Sequence, residues 1–446
     1  MSKHKILITG ATLVNEGKRQ DADLLIEDGI IKKVTGARQL AQCADSDTSV
    51  LDATGCLLLP GVIDEHVHTR EPGLTCKGDL DTESMAAAAG GVTTIFDMPN
   101  VVPQTTSLSL LEERYKLAAS KCHVNYAFYL GATSDNLADI SNIDTHRIPG
   151  IKLFMGSSTG NMLVDDEDAL KKIFLACPSM LVTHCEDTKR INERMREMTS
   201  IYGDDPGVCH HPEIRDKEAC VRSTALAIKM AEETGQRLHV AHVTTKKELE
   251  MIAASPLVTA EACVAHLLFT DADYGTLGTR IKCNPAVKTL EDREALRRAC
   301  NDGTVYTIAT DHAPHLLKDK DGGCRKAASG MPMVQFSLPC MLTLSDEGAL
   351  SVEKVVELMC HNPAKLFGVS GRGFVREGYY ADIVLVSHTP WTVEKECILS
   401  KCGWSPLEGR TQNWRVEHTF VNGNHVWNGT TVDNNIKGMA VEFNGK

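Results

Sequence analysis

The sequence predicts an α/β fold: a (β/α)8 TIM-type barrel with a smaller β-sandwich domain built from both termini. Three observations predict it. Eight short, apolar, β-rich runs alternate with helix-compatible stretches through the middle of the chain. β-Rich segments with Asp-Gly or Asn-Gly turns occupy both ends, and His, Lys and Asp residues fall at the C-terminal ends of the middle runs. Strands alternating with helices indicate parallel βαβ units, and eight such units close a barrel, with a doubly wound open sheet as the runner-up.

Taken in order, KILITGATLV and ADLLIEDGIIKKV read as strands, the second folded at Asp28-Gly29 into a hairpin, and SVLDATG follows them. The barrel runs are expected at about 58–68, 91–98, 123–131, 150–155, 180–186, 237–243, 257–264 and 304–311. Helices are expected at Thr82–Ala89, Ser107–Ala119, Asp166–Ala176, Lys217–Glu233, Lys246–Ala254 and Leu290–Cys300. Residues 187–216 and 312–330 read as long loops, where active sites are commonly built. ADIVLVS from Ala381 and VEHTFVNGNHVWNG, turned at Asn422-Gly423, complete the β domain begun at the N-terminus. The expected division is 1–55 and 370–446 for the small domain and 56–369 for the barrel.

Composition bounds the function. The 446 residues carry 47 Lys+Arg against 59 Asp+Glu, a formal net charge of −12. Such a balance argues against coating nucleic acid or an anionic membrane, and it leaves a small acidic substrate open. The N-terminal run lacks the long apolar core of a signal peptide, and no apolar stretch is long enough to span a bilayer, so a cytoplasmic protein is expected. The 16 cysteines are scattered without a C-x-x-C pair and read as small buried apolar residues.

The chemistry is concentrated at the strand ends. His66-Val67-His68 closes the first run, and a period of two turns both imidazoles to one side, where they can converge on a metal. Lys152, His184, His242 and Asp311 end other runs, an inward polar set that packing alone does not explain. An ammonium among metal ligands would be repelled by the cations; Lys152 either snorkels to the barrel rim or reacts with CO₂ to become a carbamate. Arg70, two residues beyond His68, lies on the same face and can grip a carboxylate, or can form a salt bridge at the rim. His210, His211, His266, His312 and His361 read as surface or packed histidines.

The runs PGVIDEHVHTREPG (60–73), AAAAGGVTTIFDMPN (86–100), IKLFMG (151–156) and ATDHAPH (309–315) resemble those of the cyclic amidohydrolases, and within that group the dihydroorotase branch. The likeness covers about residues 55–370. It implies two zinc ions, one held by His66, His68 and Asp311, the other by His184 and His242, with Lys152 bridging them as N6-carboxylysine. Asp311 would also carry a proton from the attacking water to the leaving ring nitrogen. The implied substrate contacts are His68, Arg70, Asn100, Asn284, His315, Ser329 and Gly330. The implied reaction is the reversible hydrolysis of (S)-dihydroorotate to N-carbamoyl-L-aspartate in pyrimidine synthesis. Its partners would be small molecules, neither nucleic acid nor membrane, and the chain would be a homodimer. Allantoinase and hydantoinase or dihydropyrimidinase are the sibling alternatives, and a catalytically dead amidohydrolase-like scaffold is the third. The chain departs from the branch in AASGMPMVQF, where Ser329 and Gln335 stand in place of the usual APFG and GLET.

Overall fold

A computed structural model describes residues 5–37, 39–40, 44, 46–156 and 162–445. Its centre is a ring of parallel strands: β1 (Val62–Val67), β2 (Val92–Asp97), β3 (Asn125–Phe128, continued as Leu130–Gly131) and β4 (Gly150–Phe154). It continues through β5 (Met180–His184), β6 (Leu238–Val240), β7 (Val258–Cys263) and β8 (Val305–Ala309). Each pairs with its sequence neighbour in parallel. Just past β8 the ring closes: His68 N donates to His312 O at 2.8 Å and His312 N to His66 O at 3.2 Å. Helices cover the outer faces and side chains fill the inside, so these strands are buried on both faces and read as nearly continuous apolar runs.

The intervening helices begin where short polar side chains can accept an unpaired backbone N–H. Asp79, Ser107, Asp166, Asp216, Thr245 and Thr289 do so at Leu80–Ala89, Leu108–Lys121, Glu167–Ala176, Lys217–Thr234, Lys246–Ile252 and Leu290–Asp302. Each cap is worth about 1 kcal/mol. The expected helices are all present. One expectation is corrected: 187–216 is not a loop throughout, because Thr188–Tyr202 is a helix capped by Asp187. It buries only Ile191 and Met198, a stripe too thin to stand out in a stretch otherwise polar.

Phe96, Tyr129 and Phe367 pack edge-on against one another in the core. His184 ends β5, and His242 and Asp311 follow the ends of β6 and β8, so these residues gather at the C-terminal mouth, the end where barrels carry their chemistry. Beside the barrel lies a second, eight-stranded sheet. Lys5–Asn15 pairs in parallel with Thr48–Asp52 along its first half and Cys56–Pro60 along its second, so the sheet forks there. Ile383–Ser387 joins Cys56–Pro60 antiparallel and carries Arg415–Val421 and Asn424–Trp427 beyond it, so both termini contribute strands. The hairpin turns sit at Asp28-Gly29 and Asn422-Gly423, with positive φ at all four residues, as a two-residue turn requires. The cysteines among the described residues are all free and most are buried. No helix among them is long and apolar enough to cross a membrane.

Candidate functional site

At the mouth, His66, His68 and Asp311 bring one ligand atom each to a common point, all within 4.8 Å of one another. Asp311 Oδ1 stands 3.3 Å from His66 Nε2 and 3.1 Å from His68 Nε2. The other ring nitrogens are committed: His66 Nδ1 donates to Glu261 Oε1 and His68 Nδ1 to Asn100 Oδ1, both at 2.8 Å. These bonds leave both Nε2 atoms as lone-pair donors aimed at the same space, the arrangement a metal requires.

The second cluster is built alike. His184 Nε2 donates to Glu186 Oε2 at 3.0 Å, and Glu186 is in turn paired with Arg215. His184 Nδ1 then faces His242 Nε2 at 2.9 Å. Glu186 remains charged in the interior: burial raises its pKa, but Arg215 and His184 pull it down to about 2. Lys152, on β4, is fully buried, its Nζ without a hydrogen-bond partner and 5.3 Å from the Phe154 ring centroid. Burial pushes its ammonium down, although Glu261 and Asp311 oppose the shift. An orphaned buried amine, paired imidazole nitrogens and a convergent carboxylate together fit a metal centre.

Burial also favours the neutral forms of His68, His184 and His242. His68 is lowered to about 4, against the opposing pull of Asp311, and burial drives His242 well below its ordinary value. At these imidazoles the unfolded chain binds more protons than the folded one below about pH 6.5, so their contribution to stability is lost as pH falls, opposed in part by Asp64, which burial raises to about 6. Metal-free protein is expected to melt at a lower temperature at pH 5 than at pH 7, the difference accruing until His68 titrates at about 4. Calorimetry on chelated protein checks this; equal melting temperatures would contradict the neutral-imidazole assignment.

Backbone strain marks the same residues. Six non-glycine residues among those described have positive φ; three are turn residues beside glycine, and the others are Arg70 (+70°), His242 (+39°) and Asp311 (+47°). Each such conformation costs of order 1 kcal/mol and persists where the surroundings hold it, commonly at functional sites.

A pocket of about 360 Å³, partly open to solvent, is lined by the four histidines, Asp311, Phe154, Asn284, Ala313, Ser329 and Gly330. Asn284 Oδ1 is buried without a hydrogen-bond partner. Arg70 is buried; it donates through Nε to Pro314 O at 3.0 Å, and its Nη2 lies 3.1 Å from His315 Nε2. Lys77 Nζ lies 3.1 Å from His315 Nδ1, so a neutral imidazole can accept from only one of the two cations. Asn100 approaches the site through His68. Gln335 does not line the pocket: its amide bonds Cys397 O and Leu399 N, away from the mouth.

The sequence reading missed Glu186, Glu261 and the pair Glu65–His239 beneath them. Glu65 Oε1 is 4.0 Å from His239 Nε2, and burial beside Glu261 holds the Glu65 carboxyl well above the usual range. Glu186 had a signal, since it follows His184 by two residues, and Glu261 had another as the one charge in an apolar strand. His312 points away from the mouth, toward Glu83 Oε2 at 2.8 Å. His211, His266 and His361 are packed on backbone carbonyls.

An amidohydrolase-family model matches residues 57–426. A dihydroorotase of Methanosarcina mazei is 32% identical, the match covering 96% of this chain and 95% of that one. A dihydroorotase of Bacillus cytotoxicus is also 32% identical, covering 94% and 97%. Among solved structures, the L-hydantoinase (dihydropyrimidinase) of Arthrobacter aurescens superposes with a TM-score of 0.90 at 28% identity, over 96% of this chain and 97% of that one.

Proposed function

The chain belongs to the amidohydrolase family, and on that premise we propose that it is a dihydroorotase, opening (S)-dihydroorotate reversibly to N-carbamoyl-L-aspartate in pyrimidine synthesis. The observation that carries the reading is Arg70 taken with Asn100: Arg70 is buried with no carboxylate in ion-pair reach among the described residues, and Asn100 is buried against His68 Nδ1. A guanidinium so held suits a ring that carries a carboxylate, which dihydroorotate has and hydantoin and allantoin lack.

We assign two zinc ions: His66, His68 and Asp311 would hold one, His184 and His242 the other, and Lys152, once carboxylated, would be a ligand to both. When bound, they supply Lewis acidity, bringing the ionisation of water near neutral pH and polarising an amide carbonyl. The chain's own residues do the rest. Asp311 takes the proton of the attacking water and returns it to the leaving ring nitrogen. Arg70, Asn100 and His315 hold the substrate carboxylate, while Asn284 and the Ser329–Gly330 backbone orient the ring over His68. The expected setting is cytoplasmic, as a homodimer, which light scattering on the purified chain checks.

Zinc-loaded protein is expected to consume dihydroorotate in a spectrophotometric assay, and no turnover with the metals confirmed present would sink the proposal. Against hydantoin and allantoin kcat/KM is expected to fall by about 100-fold or more, since the buried guanidinium is then left without its anion. The hydantoinase reading is kept by the TM-score of 0.90, and equal rates on hydantoin would favour it. Metal analysis separates both from a dead scaffold: about two zinc ions per chain support an enzyme, near zero the scaffold.

A further inference from the structure

The loop after β8 buries a cation that the reaction does not use. Lys320, at the end of the short turn Leu317–Lys320, is 2% exposed and has no carboxylate within ion-pair distance among the described residues. Its Nζ donates to three backbone carbonyls: Lys282 O at 3.0 Å, Ala328 O at 2.7 Å and Gly330 O at 2.7 Å. Three donors thus meet three acceptors, and the ammonium is saturated.

Those carbonyls belong to two walls of the pocket. Lys282 precedes Asn284 by two residues, while Ala328 and Gly330 flank Ser329. Gly330 N donates to the same Lys282 O at 2.8 Å, so the walls are joined at that point by backbone and side chain together. The fit is close: a Cβ on Gly330, at φ +134°, would stand 2.6 Å from Ala313 O and 3.1 Å from His315 Cδ2. The ammonium is also 5.8 Å from the ring centroid of Trp404, whose indole donates to His315 O at 2.7 Å. The pin therefore touches the supports of Asn284, Ser329, Gly330 and His315 together. Burial and the like charge of Lys282 push the ammonium down to about 7, so an apolar residue would fill this space at less cost in solvation.

We infer that Lys320 is a positioning residue for the substrate ring, its ammonium tying the Asn284 segment to the Ser329–Gly330 segment and so setting the gap that a cyclic amide enters. The inference rests on reading this pocket as the ring site and names what fixes its width.

The test compares Lys320→Met and Lys320→Arg with wild type, all as zinc-loaded full-length protein, on whichever of dihydroorotate, hydantoin and allantoin the wild type opens fastest. Failure of the dihydroorotate assignment therefore leaves the test intact. Lys320→Met is expected to keep its zinc and raise KM about tenfold or more with kcat changed less than about threefold, because ring placement is lost before chemistry. Lys320→Arg, which restores charge and donors in a different fork, is expected to give an intermediate KM. An unchanged KM in Lys320→Met overturns the inference, and so does loss of zinc in proportion to activity, which would make the residue a support of the fold alone. Should Lys320→Met fail to fold, Lys320→Arg decides: a KM equal to wild type overturns the inference and a raised KM at full zinc content supports it.

Discussion

Lys152→Ala is expected to lose both metals and all measurable turnover, and a short carboxylic acid such as acetate is expected to restore part of each. The side chain is fully buried, and its Nζ has no hydrogen-bond partner. An ammonium there would be an interior charge without a hydrogen-bond partner, offset mainly by Glu261 and Asp311 at a distance. Burial favours loss of one proton to give the free amine, whose lone pair adds to CO₂ with loss of a second proton; the residue thereby changes from cation to anion with two oxygens where no ligand stood before. The two histidine clusters are incomplete without it. His184 and His242 supply only two nitrogens to their side, whereas a metal site ordinarily needs about three or four protein ligands. Activity is therefore expected to fall by about 10⁴-fold or more with the metal gone. A carboxylate small enough to enter the vacated space replaces the bridging oxygens and rescues both readouts together. Native mass spectrometry of the wild type should find the mass of one added CO₂, lost on acidification. A Lys152→Ala protein that kept its full zinc content would refute the bridging role.

Much of this was legible in the chain itself, for physical reasons. Parallel strands buried on both faces read as apolar runs, and the side-chain period of two turns His66 and His68 together, so that both reach the same point beside Asp311. The Asp-Gly and Asn-Gly turns placed the small sheet's hairpins because positive φ is affordable there. What stayed hidden depends on long-range contact. Glu261 touches His66 across 195 positions, and Lys320 reaches Lys282 across 38 positions, distances over which no periodicity carries information. The helix Thr188–Tyr202 escaped because its buried stripe is only Ile191 and Met198. Gln335, one of the two departures from the resembled pattern, bonds Cys397 O and Leu399 N in the C-terminal segment, contacts that lie 62 and 64 positions away in the chain.

Asp311→Asn is expected to separate ligation from proton transfer. The carboxylate ends the loop closing β8, in a backbone conformation with φ +47° that fixes its Oδ1 on His66 and His68. In the metal-free chain with Lys152 uncarboxylated, burial alone would raise its pKa, but His66, His68 and the Lys152 ammonium outweigh burial and bring it down to about 2. The group is therefore a carboxylate throughout the neutral range, an acceptor ready for the proton of the attacking water, and acid removes it only well below the ordinary carboxylate range. Asparagine keeps one oxygen at the same place and so retains a neutral ligand, but it cannot take up or return a proton. With zinc in excess, kcat is expected to fall by about 10²- to 10⁴-fold while bound metal stays near the wild-type level. The alternative is that Asp311 only ligates. In that case Asp311→Asn loses zinc and activity in parallel, and saturating zinc brings turnover back. Titrating the variant with zinc while following rate and bound metal together therefore decides the matter: full metal with a depressed rate assigns the proton to Asp311, and restored rate takes it away.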